Sequence, residues 1–317
     1  MSRTCLVTGG AGFIGSHLVE ALAARGWAVR VLDNLSTGLR ANLAGCRPVP
    51  EIIEADLTDR EAVARAVAGA EVVFHLGALP SVARSLETPD ATHAACATGT
   101  VHVLDAARRG GVRRVVYAAS SSAYGGRSSP EGQDEDAVPC PLSPYAAAKL
   151  AGEMYAQAFA ASFGLETVSL RFFNVFGPRQ RADSPYSGVI ALFIAAMMAG
   201  RPPVVHGDGL QSRDFTYVSN VAQVLMLAAD APGVSGQVFN VGTGNSVTVL
   251  DLVAALNRLL GSDLKAQHGP ARGGDVRHSR ANISRARRQL GYEPSVSFLQ
   301  GLERTLAWYR DTARTTP

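Results

Sequence analysis

The stretch TCLVTGGAGFIG, residues 4–15, places a short apolar run directly before four closely spaced glycines. The apolar run predicts a buried strand at Cys5–Thr8, and the pattern after the glycines predicts a helix at Ile14–Arg25. A strand, a tight glycine turn and a helix begin a βαβ unit, and the N–H groups at such a helix start bind a pyrophosphate. We therefore predict a dinucleotide site here. Its residues are Gly9, Gly12, Phe13, Ile14 and Gly15.

A second strand, Ala28–Leu32, ends at Asp33, 18 residues beyond the last glycine of the turn. A carboxylate at about this distance binds the adenosine ribose hydroxyls and repels a 2′-phosphate, so NAD is favoured over NADP. Asp56 follows the third strand and has two interpretations, a contact to the adenine edge or the N-cap of a helix over Thr58–Val67. Further cofactor contacts are predicted at Asn34, Leu57, Leu76 and Ala78.

The first half of the chain alternates apolar strand patterns with Ala/Leu/Arg-rich helix patterns. Such alternation predicts an α/β protein, a Rossmann-like doubly wound parallel sheet with helices on both faces. After about Asn174, prolines and glycines break the rhythm and predict a smaller C-terminal α/β domain for the substrate. The predicted domains are a cofactor domain of residues 1–174, to which 214–241 returns, and a substrate domain of 175–213 and 242–317.

The predicted elements have these bounds. The other strands are Ile52–Ala55, Val72–His75, Val115–Ala119, Thr167–Arg171 and Gln237–Val241. The other helices are Glu61–Val67, Ala91–Arg109, Pro144–Phe163 and Ser219–Ala229.

Composition excludes several classes of function for the 317 residues. The net charge of +3 is too small to indicate nucleic acid binding. The longest apolar run, Val189–Ala199, is shorter than the roughly 20 residues of a membrane span, and the N-terminus lacks a signal-peptide pattern. The four cysteines are scattered, so we expect no disulfide framework and no metal site. A cytoplasmic protein without a membrane partner is the expectation.

Ser143 and Pro144 have the residue types of an N-cap and a first helical position. They place Tyr145 and Lys149 one turn apart on one helix face. Ser120 follows a strand, at the sheet edge where such folds bind ligands. A nearby ammonium and the positive ring of a bound nicotinamide would stabilise the phenolate and lower its pKa, so that Tyr145 could act as a base. Only two of the 30 basic residues are lysines, and Lys149 is the only one in the first 264 residues.

Four motifs together resemble the extended short-chain dehydrogenases/reductases and, within them, the nucleotide-sugar 4-epimerases. They are TGGAGFIG at 8–15, SSSAYG at 120–125, YxxxK at 145–149 and RFFNVFG at 171–177. The resemblance covers about residues 4–310. It implies bound NAD, a UDP-sugar substrate, oxidation at C4, rotation of the 4-keto sugar and return of the hydride to its other face. It also implies a homodimer.

By this resemblance, Tyr145 is the catalytic base and acid, Lys149 holds the nicotinamide ribose and Ser120 assists. Asn174 would contact the sugar nucleotide, Arg213 and Arg272 the diphosphate, and Asp275 the uridine ribose. The other substrate contacts that it implies are Ser81, Arg84, Ser121, Ser122, Gln180, Gly188, Val189 and Ser279. The chain departs from the family at Cys96, where an Asn is usual.

Substrate choice is suggested by Ser279, since similar enzymes restricted to small hexoses have a bulky Tyr at this place. A small residue leaves room for an N-acetyl group, which predicts UDP-GlcNAc and UDP-GalNAc as substrates beside UDP-Glc and UDP-Gal. A 4,6-dehydratase would have an Asp-Glu pair where Ser121 and Ser122 stand. A UDP-glucuronate 4-epimerase remains open because Arg84 or Arg181 could face a carboxylate, and so does a non-catalytic NAD-binding regulator, since fold does not fix function.

Overall fold

The computed structural model describes residues 2–126, 132–182, 187–271 and 276–315, and its centre is a seven-stranded parallel sheet. In chain order the strands are β1 (Thr4–Thr8), β2 (Ala28–Asp33), β3 (Glu51–Glu54), β4 (Val72–His75), β5 (Arg114–Ser120), β6 (Glu166–Phe172) and β11 (Gln237–Val241). Across the sheet their order is β11-β6-β5-β4-β1-β2-β3. The order in which strands are added reverses between β3 and β4, which lies on the other side of β1, and because the strands are parallel the carboxyl ends of β1, β4 and β5 lie at one edge.

Helices cover both faces of this sheet. They are α1 (Phe13–Ala24), α2 (Arg60–Val67), α3 (Val82–Glu87), α4 (Pro89–His93), α5 (Gly99–Arg109), α6 (Pro144–Phe163) and α8 (Val218–Asp230). Alternate residues of β1 show why: Cys5 and Val7 belong to the core shared with α1 and α8, whereas Leu6 belongs to the core shared with α2, α5 and α6. The predicted Rossmann-like doubly wound fold is confirmed.

The helix predicted over Ala91–Arg109 is wrong as a single element. A π turn at Ala94–Thr98 separates α4 from α5, and the short α3 precedes them. The Thr100 hydroxyl donates to the carbonyl of Cys96 at 2.7 Å, a side-chain bond that competes with the regular helical ladder. The turn buries Cys96 completely.

The second half adds shorter strands and further helices. The strands are β7 (Val175–Phe176), β8 (Val204–His206), β9 (Ser212–Arg213), β10 (Thr216–Tyr217), β12 (Val247–Thr248), β13 (Gln267–Gly269) and β14 (His278–Ser279). The helices are α7 (Val189–Met198), α9 (Val249–Leu260), α10 (Ser284–Leu290) and α11 (Phe298–Thr315). Among them α10 packs on the core of the parallel sheet, whereas α7, α9 and α11 pack around a separate apolar core. Rings of Phe176, Phe215 and Phe298 pack together in this core. Of the helices described, none is long and apolar enough to cross a membrane.

Candidate active site

The glycine turn after β1 needs residues without side chains at several positions. Gly9 has φ 67°, and a Cβ on Gly15 would lie 2.1 Å from the Gly9 carbonyl oxygen. Gly12 is the N-cap of α1 and supplies no side-chain acceptor to the first turn. The free N–H groups of that turn therefore face an open cradle, and this geometry fits a dinucleotide pyrophosphate.

Asp33 closes the cradle from the end of β2. Its side chain is 8% exposed, and its two oxygens accept the N–H groups of Ala11 and Leu35, both at 2.9 Å. Each carboxylate oxygen has a second lone pair with which it can accept a further hydroxyl. The carboxylate is thus fixed against the glycine turn, where the ribose contact is predicted.

The interpretation of Asp56 as an N-cap is wrong, because α2 begins at Arg60 and its N-cap is three residues after Asp56. The cap is Asp59, whose side chain accepts the N–H groups of Glu61 and Ala62. Asp56 instead accepts from Thr58 and, at 2.5 Å, from the Asn34 amide. Burial raises the pKa of Asp56, but the hydrogen bonds from Thr58 and Asn34 outweigh it and leave that pKa below its usual value.

Leu57, Leu76 and Ala78 lie around the same edge. A Cβ on Gly77, between Leu76 and Ala78, would come within 2.7 Å of the Leu57 side chain. A Cβ on Gly9 would come within 2.8 Å of Gly77 itself. The residues predicted to contact the cofactor after β1 and after β4 are therefore close together.

His75 links this loop to the π turn through a chain of directed hydrogen bonds. The hydroxyl of Thr100 donates to Cys96, so it accepts Nε2–H of His75 at 2.9 Å. On the other side, Thr8 accepts the N–H of Gly77 and donates to Nδ1 of His75 at 2.7 Å. Burial, with the charge of Lys149, lowers the pKa of His75 to about 3. The imidazole of His75 is therefore uncharged at neutral pH, and its role is structural.

Tyr145 lies in the first turn of α6, which begins as predicted: Ser143 is the N-cap, with its hydroxyl accepting the Ala146 N–H at 3.1 Å. Tyr145 is half-buried, and its phenol is close enough to the Ser120 hydroxyl for that group to act on its pKa. The expectation that an ammonium and the positive nicotinamide ring lower the pKa of Tyr145 concerns the enzyme with NAD bound and stays a prediction. Burial raises the pKa of Tyr145, and the Ser120 hydroxyl only partly opposes that rise.

Lys149 follows one turn later and is 4% exposed. Its ammonium lies 4.3 Å from the centre of the Tyr117 ring, a cation–π contact, and the hydroxyl of Tyr117 donates to the Lys149 carbonyl at 3.1 Å. Burial lowers the pKa of Lys149 to about 8. Cys96 packs against Tyr145 and Ala148, so a thiol occupies the place beside the pair where an amide is usual in the resembling family.

Ser120 ends β5 and caps the 3-10 turn Ser121–Tyr124. The hydroxyl oxygen of Ser120 accepts hydrogen bonds from the N–H of Ser122 at 3.2 Å and from the hydroxyl of Ser122 at 2.8 Å. Ser121 and Ser122 are both partly exposed on this turn. The hydroxyls of Ser120 and Ser122 therefore form a hydrogen-bonded pair at this edge of the sheet.

Two predicted substrate residues are joined by strand pairing. β14 runs parallel to β9, which places Ser279 opposite Arg213. The neighbouring Asp214 is fully buried and accepts backbone N–H groups of Thr243, Gly244 and Ala281. Since Asp214 ties the chain after β11 to the chain after β14, it fixes the strand that carries Ser279.

The other predicted substrate residues have more varied surroundings. Ser81 is the N-cap of α3 and accepts the N–H of Arg84 at 3.1 Å. Asn174 is exposed at the end of β6. A Cβ on Gly188, the N-cap of α7 before Val189, would lie 2.8 Å from the Gln180 amide nitrogen. Within the described part of the chain, Oε1 of Gln180 is buried without a hydrogen-bond partner. Arg272 and Asp275 lie outside the described residues.

Reasoning from the sequence missed Gln133 and Asn240, which are buried beside Ser279 and Tyr124 respectively. The amide of Asn240 accepts the Tyr124 hydroxyl at 2.7 Å and donates to the Gln133 carbonyl at 2.8 Å. The position of Asn240 near the carboxyl end of β11 was the available signal, because ligand sites collect at that edge. No local pattern indicates Gln133.

Comparisons with known proteins agree over nearly the whole chain. Residues 5–242 match the NAD dependent epimerase/dehydratase family. A UDP-glucose 4-epimerase of Mycolicibacterium smegmatis is 38% identical, over 98% of this chain and 99% of that protein. A UDP-N-acetylglucosamine 4-epimerase of Methanobrevibacter ruminantium, solved with UDP-N-acetylmuramic acid, is 36% identical with TM-score 0.93, over 98% of this chain and 99% of that one. The UDP-glucose 4-epimerase of Thermus thermophilus, solved with NAD, is 37% identical with TM-score 0.89, over 97% and 99%.

Proposed function

The chain belongs to the NAD-dependent epimerase/dehydratase family, and on that premise we propose that it is an NAD-dependent UDP-sugar 4-epimerase. The observation that carries the proposal is the clustering of three groups: the Ser120 hydroxyl is close enough to the Tyr145 phenol to lower its pKa, and Lys149 lies one helical turn further on. The glycine cradle of α1 and the carboxylate of Asp33 lie at the same edge of the parallel sheet as Ser120. A cofactor cradle and a proton-transfer group at the carboxyl ends of the same parallel sheet are what this proposal requires.

In the proposed reaction the residues of the chain handle the proton. In its ionised form, Oη of Tyr145 removes the proton of the sugar 4-hydroxyl and later returns it, while Oγ of Ser120 shares a hydrogen bond with the same oxygen. Bound NAD would supply the hydride acceptor and donor, and its positive charge when oxidised would favour the ionised phenol. The protein alone keeps Tyr145 protonated because burial raises its pKa. Lys149, charged below a pKa of about 8, supports the phenolate and binds ribose hydroxyls.

For the substrate we propose UDP-GlcNAc and UDP-GalNAc, accepted beside UDP-Glc and UDP-Gal. The support is the small Ser279, held in register with Arg213. A guanidinium suits a diphosphate, and a short hydroxyl side chain next to it leaves volume for an acylated sugar. The similarity to enzymes named for UDP-glucose and for UDP-N-acetylglucosamine is compatible with either preference.

A panel of UDP-Glc, UDP-GlcNAc and UDP-GlcA, each followed by NMR for inversion at C4, tests the proposal. We expect conversion of the first two. Tyr145→Phe should lower kcat by about a hundredfold or more, since positioned acid–base catalysis contributes roughly 10²–10⁴, and it should leave NAD binding unchanged. A wild-type protein that binds NAD and converts none of the three sugars would instead indicate the regulator.

The protein is proposed to act as a homodimer. Apolar side chains of α3 and α6 are exposed, among them Leu86 at 67% and Tyr155 at 46%. Exposed apolar groups on neighbouring helices favour association with a second copy. Sedimentation velocity at micromolar concentration is the measurement, and a monomer would refute this part of the proposal.

A further inference from the structure

Gln133 is held against the strand that carries Ser279. Its N–H donates to the Arg280 carbonyl at 2.7 Å, and its own carbonyl accepts the Asn282 N–H at 2.9 Å, which forms a parallel bridge to Ala281. Gly132 precedes it with φ 97°, and a Cβ there would lie 3.0 Å from the Asn282 nitrogen. A glycine is therefore needed for the chain to approach, and the backbone of Gln133 is fixed.

The side chain of Gln133 occupies space beside Ser279. The Ser279 hydroxyl donates to Oε1 of Gln133 at 3.5 Å, the long end for such a bond. Gln133 is 6% exposed and Ser279 is 7% exposed. Because Ser279 pairs with Arg213, Gln133 is the next group beyond the predicted diphosphate residue. The room beside Ser279 depends on both side chains.

The same residue is connected to the reactive edge. Its carbonyl accepts from the amide of Asn240, and that amide accepts the hydroxyl of Tyr124. Tyr124 ends the 3-10 turn that Ser120 begins. Gln133 therefore lies between the turn that presents Ser120 and the strand that presents Ser279, where a sugar between the two would meet it.

Resting on the proposed function, we propose that Gln133 is a further specificity-determining residue, which with Ser279 forms the wall against the C2 substituent of the hexose. A carboxamide has both a donor and an acceptor, and so does the acetamido group of an N-acetylhexosamine. A site that offers matched polar groups discriminates more strongly than one that only offers space, because mismatched ligands leave buried groups unpaired. Gln133 thus favours the acetamido sugar over the sugar with a hydroxyl.

The test compares Gln133→Met, which preserves length and shape, with the wild type. Gln157→Met on α6 is the matched control, because Gln157 is half-buried and outside the proposed sites. We expect kcat/KM for UDP-GlcNAc to fall about tenfold in Gln133→Met and kcat/KM for UDP-Glc to fall less than threefold. Gln157→Met should change neither. Thermal unfolding with NAD bound establishes that each variant is folded.

Ser279→Ala removes the same contact from the other side. It should shift the ratio in the same direction, and combining it with Gln133→Met should add less than the product of the single effects. Equal losses on both sugars, an unchanged ratio or full additivity overturns the inference, as does a wild type that converts only UDP-Glc. If Gln133→Met does not fold, the ratio in Ser279→Ala decides. A wild type that converts no UDP-sugar refutes the proposed function itself, which is a distinguishable result.

Discussion

Helix α6 buries an ammonium at Lys149 and, one turn later, a carboxylate at Glu153. Glu153 is compensated: Arg171 on β6 donates to its two oxygens at 2.6 and 2.9 Å, and both side chains are at most 3% exposed. Lys149 contacts the face of the Tyr117 ring, and burial lowers its pKa to about 8, a fall that the Glu153 carboxylate opposes only in part. The carboxylate of Glu153 therefore has a bonded partner of opposite charge, whereas the ammonium of Lys149 has a lowered pKa, which suits proton-transfer chemistry.

The largest expected effect comes from breaking the compensated turn with Glu153→Leu. Removing one partner leaves the Arg171 guanidinium buried without its carboxylate, so the free energy of unfolding should fall by about 3–5 kcal/mol. Urea unfolding at pH 7 measures it. The control is Glu54→Leu, which removes the Arg40 pair, whose side chains are more than half exposed, and should cost less than about 1 kcal/mol. Similar losses in the two variants would contradict the comparison.

Removing the charge of Lys149 should have the opposite effect and increase the free energy of unfolding. Lys149→Met should raise the free energy of unfolding at pH 7 by about 1–3 kcal/mol, because the charged amine is destabilised by a shift from 10.5 to about 8. It should also lower kcat by about a hundredfold. Denaturant unfolding and NMR turnover assays measure the two effects.

The pH dependence of that gain follows from the lowered pKa of Lys149. Between pH 8 and 10.5 the unfolded chain binds the proton and the folded chain does not, so wild-type stability rises with pH relative to the variant. The stability difference should therefore be largest below pH 8 and should vanish above about pH 10.5. A difference that stays constant across this range would show that packing, and not charge, separates the two proteins.

The turns of α6 at Lys149 and Glu153 also show which features of the structure can be predicted from the sequence. Tyr145 and Lys149 are predictable because their spacing and the Ser-Pro cap are local, and the strand bounds lie within a residue or two for the same reason. The Glu153–Arg171 pair depends on where β6 lies relative to α6, which no local pattern states. Tertiary contacts likewise bring Gln133 to Ser279 across 146 positions of the chain. The roles of the predicted site residues stay predictions, whereas the fold is confirmed.

The π turn and the pKa of Tyr145 show a second limit of prediction from the sequence. Both depend on burial, and burial is set by the whole structure and not by a motif. At the π turn the Thr100 hydroxyl bonds to the Cys96 carbonyl, and Leu57 packs closely against Gly99, a contact that periodicity does not reveal. At Tyr145, burial raises the pKa of the phenol in the protein alone.

The smallest expected effect lies between the two turns, at Gly152. A Cβ there would lie 2.3 Å from the Tyr117 hydroxyl oxygen, although alanine is the better helix former by about 0.5–1 kcal/mol. Because the Tyr117 ring is fully buried, overpacking should outweigh helix propensity, and Gly152→Ala should lower the free energy of unfolding by about 1 kcal/mol.

The Gly152→Ala substitution should also move the Tyr117 ring away from the Lys149 ammonium and lower kcat several-fold, as turnover assays will measure. Adding Tyr117→Phe removes the clashing oxygen and should recover part of the stability. A Gly152→Ala protein more stable than the wild type would mean that propensity alone governs this turn, and that the ring does not position Lys149.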